Sequence, residues 1–210
     1  MADAAKIVDP GFSGSTAALR PLLSPAFPWH SKELRHDRTG SADAWWAEIE
    51  SYSKEALKQF GFSNASAEKA AGLARSTYLD IAGWKLIDGA LKTLGTLSGC
   101  GWIHIIMSNF APELDEIVDG LGLSPLIAMS FSSARIGLEK PHEGFFRHVF
   151  EQLGESRAVW MIGDNVHADI QGARTVGLKS VLVWKPSDEA DHAVSALPQV
   201  VDVVGCPRLR

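Results

Sequence analysis

The stretch AVWMIGDNVHADIQGAR, residues 158–174, decides the fold. Its apolar run 158–162 stops at Gly163 and Asp164, and a helix-like segment follows with Asp169 one turn in. A short apolar run ending in a glycine before a helical pattern reads as a buried strand running into a helix. Working outward, similar runs predict strands over Trp102–Met107, Leu126–Met129 and Ser180–Val183. Helices are predicted over Glu113–Gly122, Glu143–Leu153, Val166–Val176 and Asp188–Leu197. Leu114, Ile117, Val118 and Leu121 share one helical face, as do Phe145, Val149, Phe150 and Leu153. The strands are apolar almost throughout, as expected when helices cover both faces of a parallel sheet. Regular alternation of strand and helix predicts an α/β fold with a doubly wound parallel sheet.

Before Gly101 no strand-like run occurs. Trp45, Ile49, Tyr52 and Ala56 recur at helical spacing behind Ser41, a suitable N-cap, and predict helix from Ser41 to about Ala74. A second helix is predicted from near Ser66 to Tyr78. Residues 1–40, broken by Pro10, Pro21, Pro25 and Pro28, are expected to be irregular.

Ligands on doubly wound sheets bind beyond the carboxyl ends of the strands, and three polar motifs fall there. IHIIMSNF (103–110) places Ser108 and Asn109 at a strand end, where a hydroxyl and helix-start amides can hold phosphate oxygens or simply cap the helix. LEKPHEGFF (138–146) places Lys140 before Pro141 at the opening of a helix. Aimed into the crevice, Lys140 would neutralise a transferring phosphoryl group; otherwise it is a solvated surface lysine. Asp164 and Asp169 could hold Mg²⁺ through carboxylate oxygens together with water and substrate phosphate, or serve as a helix cap and a solvated helix residue. Gly163 favours close approach of a ligand. His167, between the two aspartates, is expected to face solvent. Trp29, Trp45 and Trp46 could line a substrate pocket, although such aromatics more often pack in a core.

The bulk numbers set outer limits. The 210 residues suit one domain with a small insert, and 46% apolar with 21% charged content suits an ordinary globular chain. A net charge of −5 argues against a nucleic-acid partner, and no run reaches the roughly 18 apolar residues of a membrane span. The N-terminus lacks the apolar stretch of a secretory signal. Cys100 and Cys206 form no framework, so the expected compartment is the cytoplasm, with nothing speaking against the nucleus. No G-x-G-x-x-G follows a strand, which disfavours a dinucleotide cofactor. The sequence names neither substrate nor oligomeric state.

The order Ser108-Asn109, Lys140-Pro141, then Gly163-Asp164 with Asp169 resembles the second, third and fourth motifs of the haloacid dehalogenase-like (HAD) hydrolases. The match spans roughly residues 85–185. FPW at 27–29 and AWWAEI at 44–49 are similar to the helical cap of one branch. The resemblance implies a Rossmann-like core over 85–210, a cap remnant over 41–84 and an irregular segment over 1–40. It also implies Mg²⁺ and hydrolysis of a small phosphorylated metabolite through an aspartyl-phosphate. In that scheme Ser108 holds phosphoryl oxygens, Asn109 helps orient them and Lys140 stabilises their charge. Asp164 binds the metal, and Asp169 supports the metal shell or Lys140.

One family element is missing. Members open with an apolar strand ending in Asp-x-Asp, the nucleophile and the acid/base. The nearest segment, AKIVDPGFSGST (5–16), has Asp9, but Lys6 interrupts the run and Gly11 stands where the second aspartate belongs. We therefore expect a first strand and first cap helix lost by truncation, splicing or a misassigned start, and weigh a catalytically inactive binding protein as the alternative. A dehalogenase needs the same missing aspartate and no metal, so the carboxylates at 164 and 169 point to phosphatase chemistry. The lost strand would be central. Without it, residues 5–9 fill the slot, the flanking strands close on each other, or the fold is unstable.

Overall fold

The computed structural model describes residues 1–23, 41–154 and 158–207. Its first half is helical: α1 (Ala2–Val8), α2 (Thr16–Leu23), α3 (Ala42–Gln59), α4 (Asn64–Gly72), α5 (Ala74–Leu79) and α6 (Ala90–Gly99). Strands and helices then alternate through β1 (His104–Ser108), α7 (Leu114–Gly120), β2 (Ile127–Ser132), α8 (Ser133–Ile136), α9 (Glu143–Leu153) and β3 (Trp160–Gly163). After β3 come a π-helical segment (Val166–Gln171), α10 (Gly172–Thr175), β4 (Lys179–Val183), β5 (His192–Val194) and α11 (Val200–Val204). All strand pairs are parallel, as the apolar runs predicted.

The structure corrects several expectations. Residues 1–23 are not irregular: α1 and α2 pack their alanines and leucines with Leu57 and Ala67 of α3 and α4. Helical propensity in the alanine-rich start outweighs the nearby prolines, and α2 tolerates Pro21 inside it. The helix expected over Asp188–Leu197 is replaced by strand β5 and a short 3₁₀ turn at Leu197–Gln199. There the Asp191 carboxylate accepts from the Ser180 amide at 2.8 Å, so β4 captures the segment as a strand. That contact, first among the causes, also holds the Asp191 carboxyl below its ordinary range. Cys100 and Cys206 are joined by a disulfide, where no pairing was expected. The Trp102 indole, donating to the Gly205 carbonyl at 2.6 Å, brings the two segments together.

The strands form two sheets. β1 pairs with β2, and β3 pairs with β4, which pairs with β5. No ladder joins β1 to β3 among the described residues, so the two interior strands do not close on each other. Residues 5–9 do not fill the slot either, because Ala5 to Val8 end helix α1. The same helices nonetheless cover both half-sheets. On one face, Leu94 of α6 packs in the cluster that takes Ile106 of β1, while Leu97 of α6 packs with Trp160, Ile162 and Val181. On the other face, Phe146 of α9 packs with Met161 of β3 and Met107 of β1.

The helical half meets the α/β half through one apolar cluster. Trp45, Trp46, Ile49 and Ala74 pack against Phe110, Ala111, Leu114 and Ile117. Trp45 and Trp46 are thus core residues; Trp29 lies outside the described residues. Glu113 sits in this interface, 4% exposed. It accepts from the Trp46 indole at 3.0 Å and pairs with Arg75 at 2.7 Å. Arg75 also bonds Asp43 at 2.6 Å, and this second carboxylate, first among the causes, holds its guanidinium above the ordinary value. Removing the Glu113 carboxylate orphans a buried indole and frees an arginine that is only partly desolvated, so solvent screens part of the loss. Glu113→Ala is expected to lower unfolding stability by about 1–3 kcal/mol, checked by urea titration.

Candidate functional site

Lys140 is the hub of the site. It is 8% exposed, not a solvated surface lysine. Its ammonium donates to the Met107 carbonyl of β1 at 2.7 Å and to the Asp169 carboxylate at 2.6 Å. Lys140 and Asp169 side chains are 10% and 6% exposed, so this is a buried ion pair. Such a pair contributes little net stability against apolar replacements, but breaking it leaves a buried charge and costs about 3–5 kcal/mol. An ammonium has three donors. Two are used among the described residues, leaving one for a ligand in the crevice.

The main chain of Lys140 is clamped separately. The Asn109 amide nitrogen donates to the Lys140 carbonyl at 2.9 Å, and its oxygen accepts from the Lys140 amide at 2.8 Å. Asn109 is thereby placed to position Lys140, a function no local pattern announces. The Lys140–Pro141 bond is cis.

Asp169 is held with equal care. One carboxylate oxygen takes the lysine and the other accepts from the Asn165 amide at 3.0 Å. With both oxygens engaged and the side chain buried, Asp169 is placed to support Lys140. The Asn165 side chain accepts from the Ala168 amide at 2.9 Å and caps the segment that carries Asp169. That segment is a π turn rather than the regular α-helix the spacing suggested. Such turns recur at functional sites. Asn165 was not singled out from the sequence, although it lies inside the quoted motif. The role of Gly163 also becomes concrete: a Cβ there would collide with the Asp169 carboxylate. The glycine admits this side chain, where the sequence suggested room for a ligand.

Two further polar groups lie at the neighbouring strand ends. Ser108 ends β1, one residue beyond the Met107 carbonyl that Lys140 holds. Its hydroxyl has no protein partner among the described residues. Asp164 follows Gly163, is exposed, and has no ion-pair partner among them. No group of three or more His, Cys, Asp or Glu side chains gathers among the described residues. Mg²⁺ does not require one, because it commonly takes one or two carboxylates and fills its shell with water and phosphate. Asp164 fits that donor set. His167 is exposed as expected, and its ring contacts Gln171 at 2.7 Å. Asp9 is not brought to the site. It caps α1, and its carboxylate accepts from the Gly11 amide at 2.9 Å.

A hydroxyl, a buried lysine and two carboxylates thus lie near the carboxyl ends of parallel strands, where ligands of doubly wound sheets bind. A family model described as HAD-hydrolase-like matches residues 137–204. Haloacid dehalogenase-like hydrolase domain-containing protein 3 of Bos taurus is 29% identical over 196 residues, covering 90% of this chain and 76% of the relative. Ribulose-1,5-bisphosphate 5-phosphatase of Halopiger xanaduensis is 31% identical over 137 residues, covering 57% of this chain and 56% of that protein. Among solved structures, the magnesium-bound HAD-hydrolase YfnB of Bacillus subtilis aligns with a TM-score of 0.71 at 20% identity, covering 96% of this chain and 90% of that one. L-2-haloacid dehalogenase of Xanthobacter autotrophicus aligns at 0.68 and 19%, covering 97% and 91%. The chain belongs to the haloacid dehalogenase-like superfamily.

Gly163→Ala is expected to displace the Asp169 carboxylate and lower stability by about 1–3 kcal/mol. Urea unfolding checks this, and unchanged stability would contradict the packing described.

Proposed function

We propose that this site is built for Mg²⁺-dependent hydrolysis of a phosphoric monoester on a small phosphorylated metabolite. The observation that carries the reading is the buried Lys140 ammonium, with one donor unspent among the described residues, at strand ends that also carry Ser108 and the exposed Asp164. Ser108 would donate to a phosphoryl oxygen, and Lys140 would neutralise charge developing on the transferring group. Asn109 and Asp169 would hold Lys140 in place. Mg²⁺, held by Asp164 and completed by water and phosphate, would supply further neutralisation of charge. The names of relatives such as the glyceraldehyde 3-phosphate phosphatase of Methanocaldococcus jannaschii support a small phosphorylated substrate. Residues 41–84 would form a helical cap over a core at 85–210, and the cap would choose the substrate.

A second reading has its own observation. The usual nucleophile is a carboxylate aimed at the phosphorus, and Asp9 is tied into the turn after α1 instead. With that role unfilled among the described residues, the site would bind Mg²⁺ and phosphate without turnover, as a binding or regulatory module.

A p-nitrophenyl phosphate assay with and without Mg²⁺, paired with calorimetric titration of inorganic phosphate, separates the two. The catalytic reading predicts Mg²⁺-dependent turnover that falls about 100-fold or more in Asp164→Asn and Lys140→Met. The binding reading predicts no turnover, with phosphate affinity that Lys140→Met abolishes. A folded protein that neither turns over nor binds phosphate would contradict both.

A further inference from the structure

We propose that Cys100 and Cys206 form a redox-responsive clasp, a thiol–disulfide exchange site whose opening loosens the helix that packs on both half-sheets. The chain has two cysteines, and they are joined to each other. Cys100 is the C-cap of α6, and Cys206 lies two residues beyond α11. Cys206 is exposed and Cys100 half-buried. Disulfides open to solvent are the ones that exchange readily with other thiols. A compartment that keeps thiols reduced opens such a clasp, and an oxidising one closes it.

The bond closes on the one segment that grips α6 at both ends. At the N-cap, Gly89 lies so near the 3₁₀ turn that a Cβ on it would stand 2.6 Å from the Pro198 ring. Near the other end, Leu97 shares a cluster with Val200, Val201 and Val204 of α11. Just beyond come the disulfide and the Trp102 indole, which donates to the Gly205 carbonyl at 2.6 Å. Through Leu94 and Leu97, α6 packs in the clusters of Ile106 of β1 and of Trp160 and Ile162 of β3. A change at Cys100 therefore reaches the strands that end in Ser108 and Gly163. The segment depends on the bond because α11 is five residues long, and so short a helix does not persist in water by itself. The disulfide joins residues 106 apart, so its loss restores much freedom to the open chain. What then remains to hold α11 is its row of valines, of which only Val200 is fully buried.

Opening requires a dithiol reductant. One of its thiolates attacks the sulfur of the exposed Cys206, the S–S bond breaks, and Cys100 leaves as a thiolate that takes up a proton. The second thiol of the reductant then displaces Cys206 from the mixed disulfide, and Cys206 is protonated in turn. The dithiol ends as a cyclic disulfide, and two electrons and two protons have passed to the cysteine pair. Closing is the same exchange with a small-molecule disulfide as oxidant, which is reduced to two thiols.

The test is hydrogen–deuterium exchange on the intact chain, oxidised and after reduction with dithiothreitol, with free thiols counted by alkylation and mass. The proposal predicts no free thiol before reduction and both after it. It predicts exchange about tenfold faster in segments 94–103 and 197–207 of the reduced chain, with α3 and α4 unchanged. Oxidised glutathione is expected to restore the slow rates, and Cys206→Ser to exchange like the reduced parent with or without dithiothreitol. Unchanged exchange once both thiols are free overturns the proposal, since the bond is then an inert staple. Two free thiols before any reductant, or a bond that dithiothreitol leaves closed in the folded chain, overturns it as well. So does equal acceleration in α3 and α4, because the bond is then needed for the whole fold and releases no single layer. None of these readouts involves phosphoester turnover, so this inference and the phosphatase reading fail separately.

Discussion

The buried pair between Lys140 and Asp169 is the interaction on which the rest of this architecture depends. Two half-sheets share helical layers but, among the described residues, no backbone ladder, and Lys140 supplies a polar contact between Met107 of one and Asp169 beside the other. A side chain in that position satisfies a carbonyl of one strand and a carboxylate anchored beside the other. It stays there because Asn109 grips its main chain at both the amide and the carbonyl. Gly163 is required next to it because the carboxylate occupies the place of a Cβ. Structural and chemical demands thus fall on one ammonium. The ammonium that bridges Met107 and Asp169 also has one donor left unspent among the described residues.

This arrangement explains how strand-end polar groups share one reference although the described strands form two sheets. The Ser108 hydroxyl and the Asp164 carboxylate sit at the ends of strands that belong to different sheets. Their common reference is Lys140. The helical half adds a second tie, through Glu113 with Arg75 and Trp46, that fixes α3 and α5 against the chain leaving β1. The residues after Ser108 are therefore held from the helical side as well as from the sheet.

Much of this was legible from short-range pattern. Helix α9 follows the prediction residue for residue, because Phe145, Val149, Phe150 and Leu153 repeat at helical spacing behind a proline. The first four strands were found within two or three residues at each end, since apolar runs between turn residues mark buried parallel strands. The residues that converge on the crevice were likewise visible as strand-end polar groups. What could not be read is what depends on distant partners. Strand β5 is three residues long and exists because β4 and Ser180 capture it. The Cys100–Cys206 bond joins residues 106 apart in sequence. The grip of Asn109 on the Lys140 main chain requires knowing that segments some thirty residues apart meet, whereas the contact of Asp169 with Lys140 was one of the two roles the resemblance implied.

The central claim, that Lys140 and Asp169 act as one unit across the split sheet, is tested most directly by a double-mutant cycle. Stability would be measured by urea unfolding for the parent, Lys140→Met, Asp169→Asn and the double variant. The structure predicts a coupling of about 1–3 kcal/mol, with the double variant less damaged than the two single losses would add to. Additive losses, with coupling near zero, would mean the pair does not hold the two half-sheets together.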